Sequence, residues 1–384
     1  MVILVTDGEE RAALAACRGL ARAGHTVAVA ATRRPAVAQS SRACARRLLV
    51  PRSLSGDEFV SALAKAAQID AYDFLLPGSD AALLALSKFR DRLPTPLLLG
   101  LPPHETVSRS LDKRALLEEA DRAGLPVLES EECVRMPQAL AAARAFGFPV
   151  VVKPTTSIVS PGHRPRREAA RVVQDRAQLE RALAALGTPV LVQRFHDGAS
   201  VLSLGGVATE DGFAALAAAR WSRRWPPIDG AASFAETVVP PSGLVERAEM
   251  LIAAFGWRGI FELELLELGH GQFAPVDLNP RVFGWMTLAL RAGANLPAVW
   301  LERLRDPEPP RVVARPGVRY RWEEGDVRHF LWQVRHRRPR AAVAVLRPRR
   351  RVAHAYFERS DPAPLAAAAI DVARRSVRAL TRRE

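Results

Sequence analysis

The chain has 384 residues, 48% of them hydrophobic and 25% charged, with a formal net charge of +14. That length allows two or three domains and an ample core. Apolar runs such as VILV and FLLP are strand-sized, far short of the roughly 18 residues of a membrane span, which excludes a transmembrane segment.

Four lysines stand against 51 arginines. Arginine and alanine enrichment along the whole chain reads as a bias of composition rather than one nucleic-acid patch, so a nucleic-acid partner is not expected. The densest basic run, RHRRPRAAVAVLRPRRR at 335–351, either touches nucleic acid or anionic lipid or is a solvated surface. Cys17, Cys44 and Cys133 show no metal spacing and fit a reducing compartment. The N-terminus enters a strand at once with no basic leader, so a cytoplasmic location is expected.

The first hundred residues alternate strand and helix. VILVTD predicts a strand, EERAALAACRGLARAG an amphipathic helix ending at Gly24, and TVAVAAT a second strand. GDEFVSALAKAAQI predicts a helix, YDFLLPG a strand, DAALLALSKF a short helix and PLLLG another strand. This alternation implies βαβ units and a parallel sheet. The first turn, Thr6-Asp7-Gly8-Glu9-Glu10, lacks a GxGxxG phosphate loop, and two acids at the helix start disfavour a pyrophosphate there. An NAD-binding domain is therefore not expected. Asp80, at a strand-to-helix junction, is read as an N-cap or a substrate contact.

From Leu111 the texture becomes α+β. LDKRALLEEADRAG predicts a helix with Asp112 near its first turn, and QALAAARAFG a helix feeding the strand FPVVVKP. An arginine-rich loop at 155–171 precedes the helix DRAQLERALAALG. Next come the strands PVLVQRF and VLSLGGVAT, the segment FAALAAARW and the helix VERAEMLIAAFG. Residues 261–281, FELELLELGHGQFAPVDLNPR, predict a β-hairpin. A period of two puts Glu262 and Glu264 on one face and Phe261, Leu263 and Leu265 on the other. A four-residue turn, Gly269-His270-Gly271-Gln272, places Glu264 opposite Asp277. Carboxylates that close repel unless a cation or proton lies between them. Asn279 adds a neutral oxygen and Arg281 a guanidinium, a set that suits magnesium and phosphate. Taken alone, the segment equally fits a solvated hairpin with surface acids. Beyond Asp306, prolines suggest a linker or wrap-around segment before the helices HFLWQV and PLAAAAIDVARRSVRALTRR.

The order of these motifs resembles the ATP-grasp superfamily, with a carbamoyl-phosphate-synthase-like ATP-grasp domain, from the N-terminus to about residue 291. The resemblance implies an α/β plus α+β fold. A Rossmann-like preATP-grasp domain would occupy 1–105 and a two-subdomain ATP-grasp domain 106–305, its smaller lid at about 125–195. A basic, helical C-terminal extension would fill 306–384. Lys113, after Asp112, and Lys153, ending FPVVVKP, match the two family lysines that reach the nucleotide phosphates. Two of four lysines falling at these places in an arginine-rich chain is a specific signal, and a compact ammonium suits a crowded phosphate site. Gln193, Arg194 and Phe195 match the adenine hinge, although Arg194 replaces a glutamate and Ser200 stands where a ribose-binding acid often lies. Arg223 or Arg224 is implied to touch phosphate or substrate, or else is solvent-exposed. Asp277-Leu278-Asn279-Pro280-Arg281 matches the metal signature, with Asp for the commoner Glu. Glu264 is the preferred second acid; Glu262 shares its face and Glu267 lies nearer the turn. The family's glycine-rich phosphate loop is represented here only by Gly162.

The resemblance implies a ligase that activates a carboxylate as an acylphosphate, releasing ADP, for attack by an amine or, less favoured, a thiol. ATP and Mg2+, with Mn2+ as an alternative metal, are the implied cofactors. Glu264, Asp277 and Asn279 would hold the metal, and Arg281 and Asn279 would act at the reacting phosphoryl group. Partners would be a small carboxylate and an amine, with a homodimer as a compatible assembly. Two other readings remain: a catalytically silent ATP-binding regulator, and an arginine-rich binder of nucleic acid or membrane surfaces.

Overall fold

The computed structural model describes residues 1–156, 158–159, 166–167, 170–228, 230–306 and 310–381. The chain opens with strand β1 (Val2–Val5), helix α1 (Arg11–Arg22) and strands β2 (Thr26–Ala31) and β3 (Cys44–Leu49). Helix α2 (Asp57–Ile69), strand β4 (Phe74–Leu76) and helices α3 (Asp80–Lys88) and α4 (His104–Ser110) follow. The strands form the expected parallel sheet in the order β3-β2-β1-β4. Ile3, Val5, Val27 and Val29 pack on α1, whereas Leu4, Ala28 and Leu75 pack on α2 and α3. The expected PLLLG strand reduces to a single parallel bridge from Leu98 to Phe74. β3 escapes the sequence reading because CARRLL is largely exposed and polar, as an edge strand can be.

Helix α5 (Lys113–Arg122) begins behind Asp112, whose carboxylate accepts from the Arg114 amide at 2.8 Å. A second unit is built from β5 (Ser130–Cys133), α6 (Met136–Phe146), β6 (Val150–Pro154), the two-stranded β7 (Ile158–Val159) and β8 (Arg166–Arg167), and β9 (Arg171–Val173). Helix α7 (Arg176–Leu186) and strand β10 (Val190–Arg194) complete it. Its antiparallel sheet runs β5-β10-β6-β9 and carries α6 and α7 over a core of small aliphatics. Gly162 lies outside the described residues.

The third sheet has eight strands. β11 (Val201–Thr209), β12 (Gly212–Trp225) and β13 (Ala231–Val238) meander antiparallel. After helix α8 (Leu244–Ala254), the hairpin β14 (Gly259–Gly269) and β15 (Gln272–Asn279) adds to the β11 edge. Helices α9 (Met286–Arg291) and α10 (Leu296–Arg305) lead to β16 (Val312–Val313), which pairs with β12, and β17 (Arg319–Arg321), which pairs with β13. Helices α11 (Glu323–Arg335) and α12 (Pro339–Leu346) separate β17 from its parallel partner β18 (Val352–His354), and α13 (Ala363–Thr381) ends the described chain. The segment expected to be a basic, helical extension also supplies three strands. Short alternating pieces such as RYR and VAH carry too few residues to announce a strand by period alone.

One face of the large sheet packs on α1, α9 and α10, and the other on α5 and α8. Gly205 in β11 keeps the first face close: a Cβ there would lie 2.3 Å from the Phe283 ring. Among the described residues no helix is long and apolar enough to cross a membrane.

Candidate functional site

The β14–β15 hairpin pairs Glu264 with Asp277 and Glu262 with Asn279. The turn is shorter than expected: only His270 and Gly271 connect the strands, both at positive φ, as a type I′ hairpin turn requires. Gly269 pairs with Gln272, so the shorter turn keeps the register, and the one-residue shifts between Glu264 and Leu265 and between Glu267 and Gly269 fall on opposite strands and cancel. They leave Glu264 opposite Asp277. Phe261, Leu263 and Leu265 fill the core behind the hairpin, turning the polar residues to the other face.

Glu262 is the deepest of these acids, 4% exposed. It accepts from Ser203 Oγ at 3.0 Å and from the Trp285 indole N–H. Asn279 Nδ2 donates to both Glu262 (3.1 Å) and Glu264 (3.2 Å), while its Oδ1 accepts from Arg281 at 3.0 Å. Burial, then the neighbouring Glu262 and Asp277 carboxylates, hold Glu264 well above the usual carboxylate range. Burial likewise raises Glu262.

Two lysines reach this group from opposite elements. Lys113, on the first turn of α5, donates to Asp277 Oδ1 at 2.5 Å. Its backbone N–H is bonded to the Thr155 carbonyl, tying α5 to the end of β6. Lys153, on β6, donates to the Val276 carbonyl at 3.2 Å. Burial, reinforced by the Lys113 charge, pushes the Lys153 ammonium down to about 8. The structure therefore brings Lys113, Lys153, Glu264, Asp277 and Asn279 together. They line one end of a cavity of about 480 Å3 between the four-stranded lid sheet and the large sheet.

The other walls come from the segment after β10 and from β12. Phe195 and the following His196, Asp197 and Gly198 line the cavity, with Val201, Leu266 and Trp221 as apolar walls. Gln193 lines it too, yet its side chain donates to Ser130 Oγ at 2.8 Å. Arg194 lines the cavity as well, while its amide bonds Glu129 O and its guanidinium pairs with the Glu129 carboxylate and reaches Phe146 O at 2.9 Å. Glu267 does not join the acids around Glu264; it accepts from Ser200 and pairs with Arg220. Of the two arginines left open by sequence, Arg223 is bound to Asp326 at 2.6 and 3.0 Å, and Arg224 lines the cavity.

Arg281 lies deeper than its motif suggests, at 8% exposure. It donates to Asp80 at 2.5 and 3.2 Å and to the Val282 carbonyl at 2.8 Å. Asp80 is accordingly not the N-cap of α3: Ser79 is, accepting from the Ala82 amide, and Asp80 faces Arg281 from one residue further on. Trp285, Ser203 and Trp221 were not foreseen. An indole or a hydroxyl inside an apolar run carries no periodic signal for the carboxylate or cavity it meets.

Donor chemistry supports a hard divalent cation here, since carboxylate and amide oxygens are what Mg2+ takes. Among the described residues no three His, Cys, Asp or Glu side chains stand at metal-holding distances. The Asn279 amide bridges Glu262 and Glu264, and the Lys113 ammonium holds Asp277.

Fold and site define a class: an α/β unit followed by two largely antiparallel sheets that face each other across a cleft, with lysines and carboxylates at one end. Residues 112–201 match the family model for the carbamoyl-phosphate synthase L chain, ATP binding domain. The matched stretch and the fold both indicate the ATP-grasp superfamily. Its fold is similar to N5-carboxyaminoimidazole synthetase from Staphylococcus aureus complexed with ADP (10% identity, TM-score 0.63, covering 83% of this chain and 80% of that one). It also resembles the biotin carboxylase domain of Hydrogenobacter thermophilus 2-oxoglutarate carboxylase (14%, 0.63, 83% and 73%) and L-amino acid ligase from Bacillus licheniformis (15%, 0.60, 79% and 73%). No curated protein matches the chain significantly in sequence.

Proposed function

We propose that the protein is an ATP-dependent ligase that activates a carboxylate as an acylphosphate, with release of ADP, for attack by an amine. The observation that carries this reading is the meeting of Lys113 and Lys153 with Glu264, Asp277 and Asn279 at one end of the inter-sheet cavity. The structures of similar fold support it: a carboxyaminoimidazole synthetase, a biotin carboxylase domain and an amino acid ligase, the first two bound to ADP.

In this reading the chain after β10 would receive the adenine, and the two lysines the phosphates. Lys113 and Lys153 hold phosphate oxygens as compact charges. Glu264, Asp277 and Asn279, with Glu262 behind them, would hold Mg2+, which would supply charge neutralisation at the phosphates. Arg281, fixed by Asp80, orients Asn279; the role at the reacting phosphoryl group then falls to groups that face the cavity. Arg224 and Trp221, which line the cavity, would meet the acceptor carboxylate. The chemistry asks for positioning and charge neutralisation rather than a side-chain nucleophile. Residues 1–105, 106–305 and 306–384 would serve as the preATP-grasp unit, the ATP-grasp clamp and a C-terminal part stitched into its sheet.

Hydroxylamine tests this directly. With ATP, Mg2+ and a panel of carboxylic and amino acids, hydroxamate and ADP should appear together, and only with the right carboxylate. ADP without carboxylate dependence would mean a bare ATPase; AMP and pyrophosphate would overturn the acylphosphate route.

A further inference from the structure

Helix α11 is inside out. Its buried residues are polar: Asp326, His329 and Gln333 face the protein, bonded to Arg223, the Arg224 carbonyl and each other. Its outward stripe is apolar: Val327, Leu331 and Val334, spaced four and three residues apart, are 52% to 59% exposed. Val343 and Leu346 of α12, the helix packed against it, are 59% and 62% exposed. An exposed aliphatic stripe on one hairpin marks an interaction surface rather than scattered surface residues.

The charge around it has one sign. Residues 327–351 contain nine arginines and no aspartate or glutamate. Among the described residues Arg335, Arg337, Arg338, Arg340 and Arg347 form no ion pair. The acids at the start of α11 are engaged: Glu324 pairs with Arg328 and Arg375, and Glu323 accepts from the Tyr356 and Phe357 amides. Trp332 stacks on His336, with ring centroids 4.2 Å apart, and lies under Arg338.

We propose that the α11–α12 hairpin docks this protein on an anionic lipid surface. Aliphatic side chains flanked by arginines, with a tryptophan between, are what an interfacial helix presents to the boundary of acyl chains and headgroups. A second copy would oppose the arginines of one hairpin to those of the other. Nucleic acid would answer the arginines and leave the stripe in water. A folded acidic partner must offer carboxylates and an apolar ridge in fixed register, whereas a bilayer offers both at every point.

The test is sedimentation of the full chain with vesicles of phosphatidylcholine, with and without phosphatidylglycerol. The protein should sediment only with the anionic vesicles, and added salt should release it. The triple variant L331S/V334S/V343S should keep its melting temperature and ATP affinity yet lose binding by roughly tenfold or more. Replacing Arg347, Arg349, Arg350 and Arg351 with Gln should also weaken it. Failure to bind anionic vesicles, or equal binding by the triple variant, would overturn the proposal. So would a dimer in sedimentation velocity that the triple variant breaks. Capture of polyglutamate or RNA by both proteins, with indifference to vesicles, would overturn it as well.

Discussion

At the scale of single residues, the two lysines and their partners make opposite predictions for neighbouring acids. Removing one carboxylate from a crowded group ordinarily relieves repulsion. Asp277 is an exception, because Lys113, itself buried, donates to it. Asp277→Ala should abolish turnover and also cost about 1–3 kcal/mol, seen as a lower melting temperature. Glu264→Gln keeps an oxygen for the Asn279 amide and removes a charge held well above its usual pKa. It should abolish turnover while stability stays level or rises. Lys153 supplies a pH dependence. Below about 8 the lysine is charged in folded and unfolded chains alike, so the burial penalty is carried in full. The penalty fades as pH rises from about 8 toward the ordinary 10.5, and the unliganded protein should gain stability over that window. Nucleotide phosphates favour the ammonium, so ATP added without divalent metal should bind more weakly above pH 8 and take up protons. Calorimetry in buffers of different ionisation enthalpy reads that uptake, and Lys153→Met should remove it.

Elements differ in how openly their sequences announced them. The parallel sheet and the hairpin were legible because their apolar residues recur at fixed periods with turn residues between. The Glu264–Asp277 register was legible although the turn was not, since Gly269 and Gln272 pair with each other and two bulges on opposite strands cancel. That Lys113 and Lys153 come together was implied by the family resemblance, sharpened by their rarity in an arginine-rich chain. Ion pairs between distant elements were not legible: nothing local in PGSDAA or NPRV says that Asp80 and Arg281 meet. The same holds for Arg18 on α1, which donates to Asp361 Oδ2 at 3.0 Å and to the Tyr356 carbonyl at 2.8 Å. Asp361 also accepts from Ser41 and from the Arg42 amide. Burial pulls the Asp361 carboxyl upward, but these donors hold it below the usual range. Asp361→Ala should cost about 3–5 kcal/mol, because it strands a buried guanidinium, and chemical denaturation would measure it.

For the molecule as a whole, the basic C-terminal part is not a detachable tail. Its strands β16, β17 and β18 belong to the large sheet, and Tyr320 and Tyr356 are buried in its core. A chain ending near residue 311 should therefore fail to give a cooperative melting transition, whereas the four Arg→Gln changes at 347–351 should leave ATP affinity within a few-fold. The Arg18–Asp361 pair has a further consequence, for the chain as it is synthesised. The partner that neutralises Arg18 emerges 343 residues after it. During translation the N-terminal sheet must wait with an uncompensated cation in its α1 face, and the edge of β13 stays open until Arg319–Arg321 arrives. Such a topology makes folding largely post-translational, with contacts of high sequence separation formed last. Ribosome-stalled chains should resist protease as the finished protein does only once the residues through Asp361 have cleared the exit tunnel.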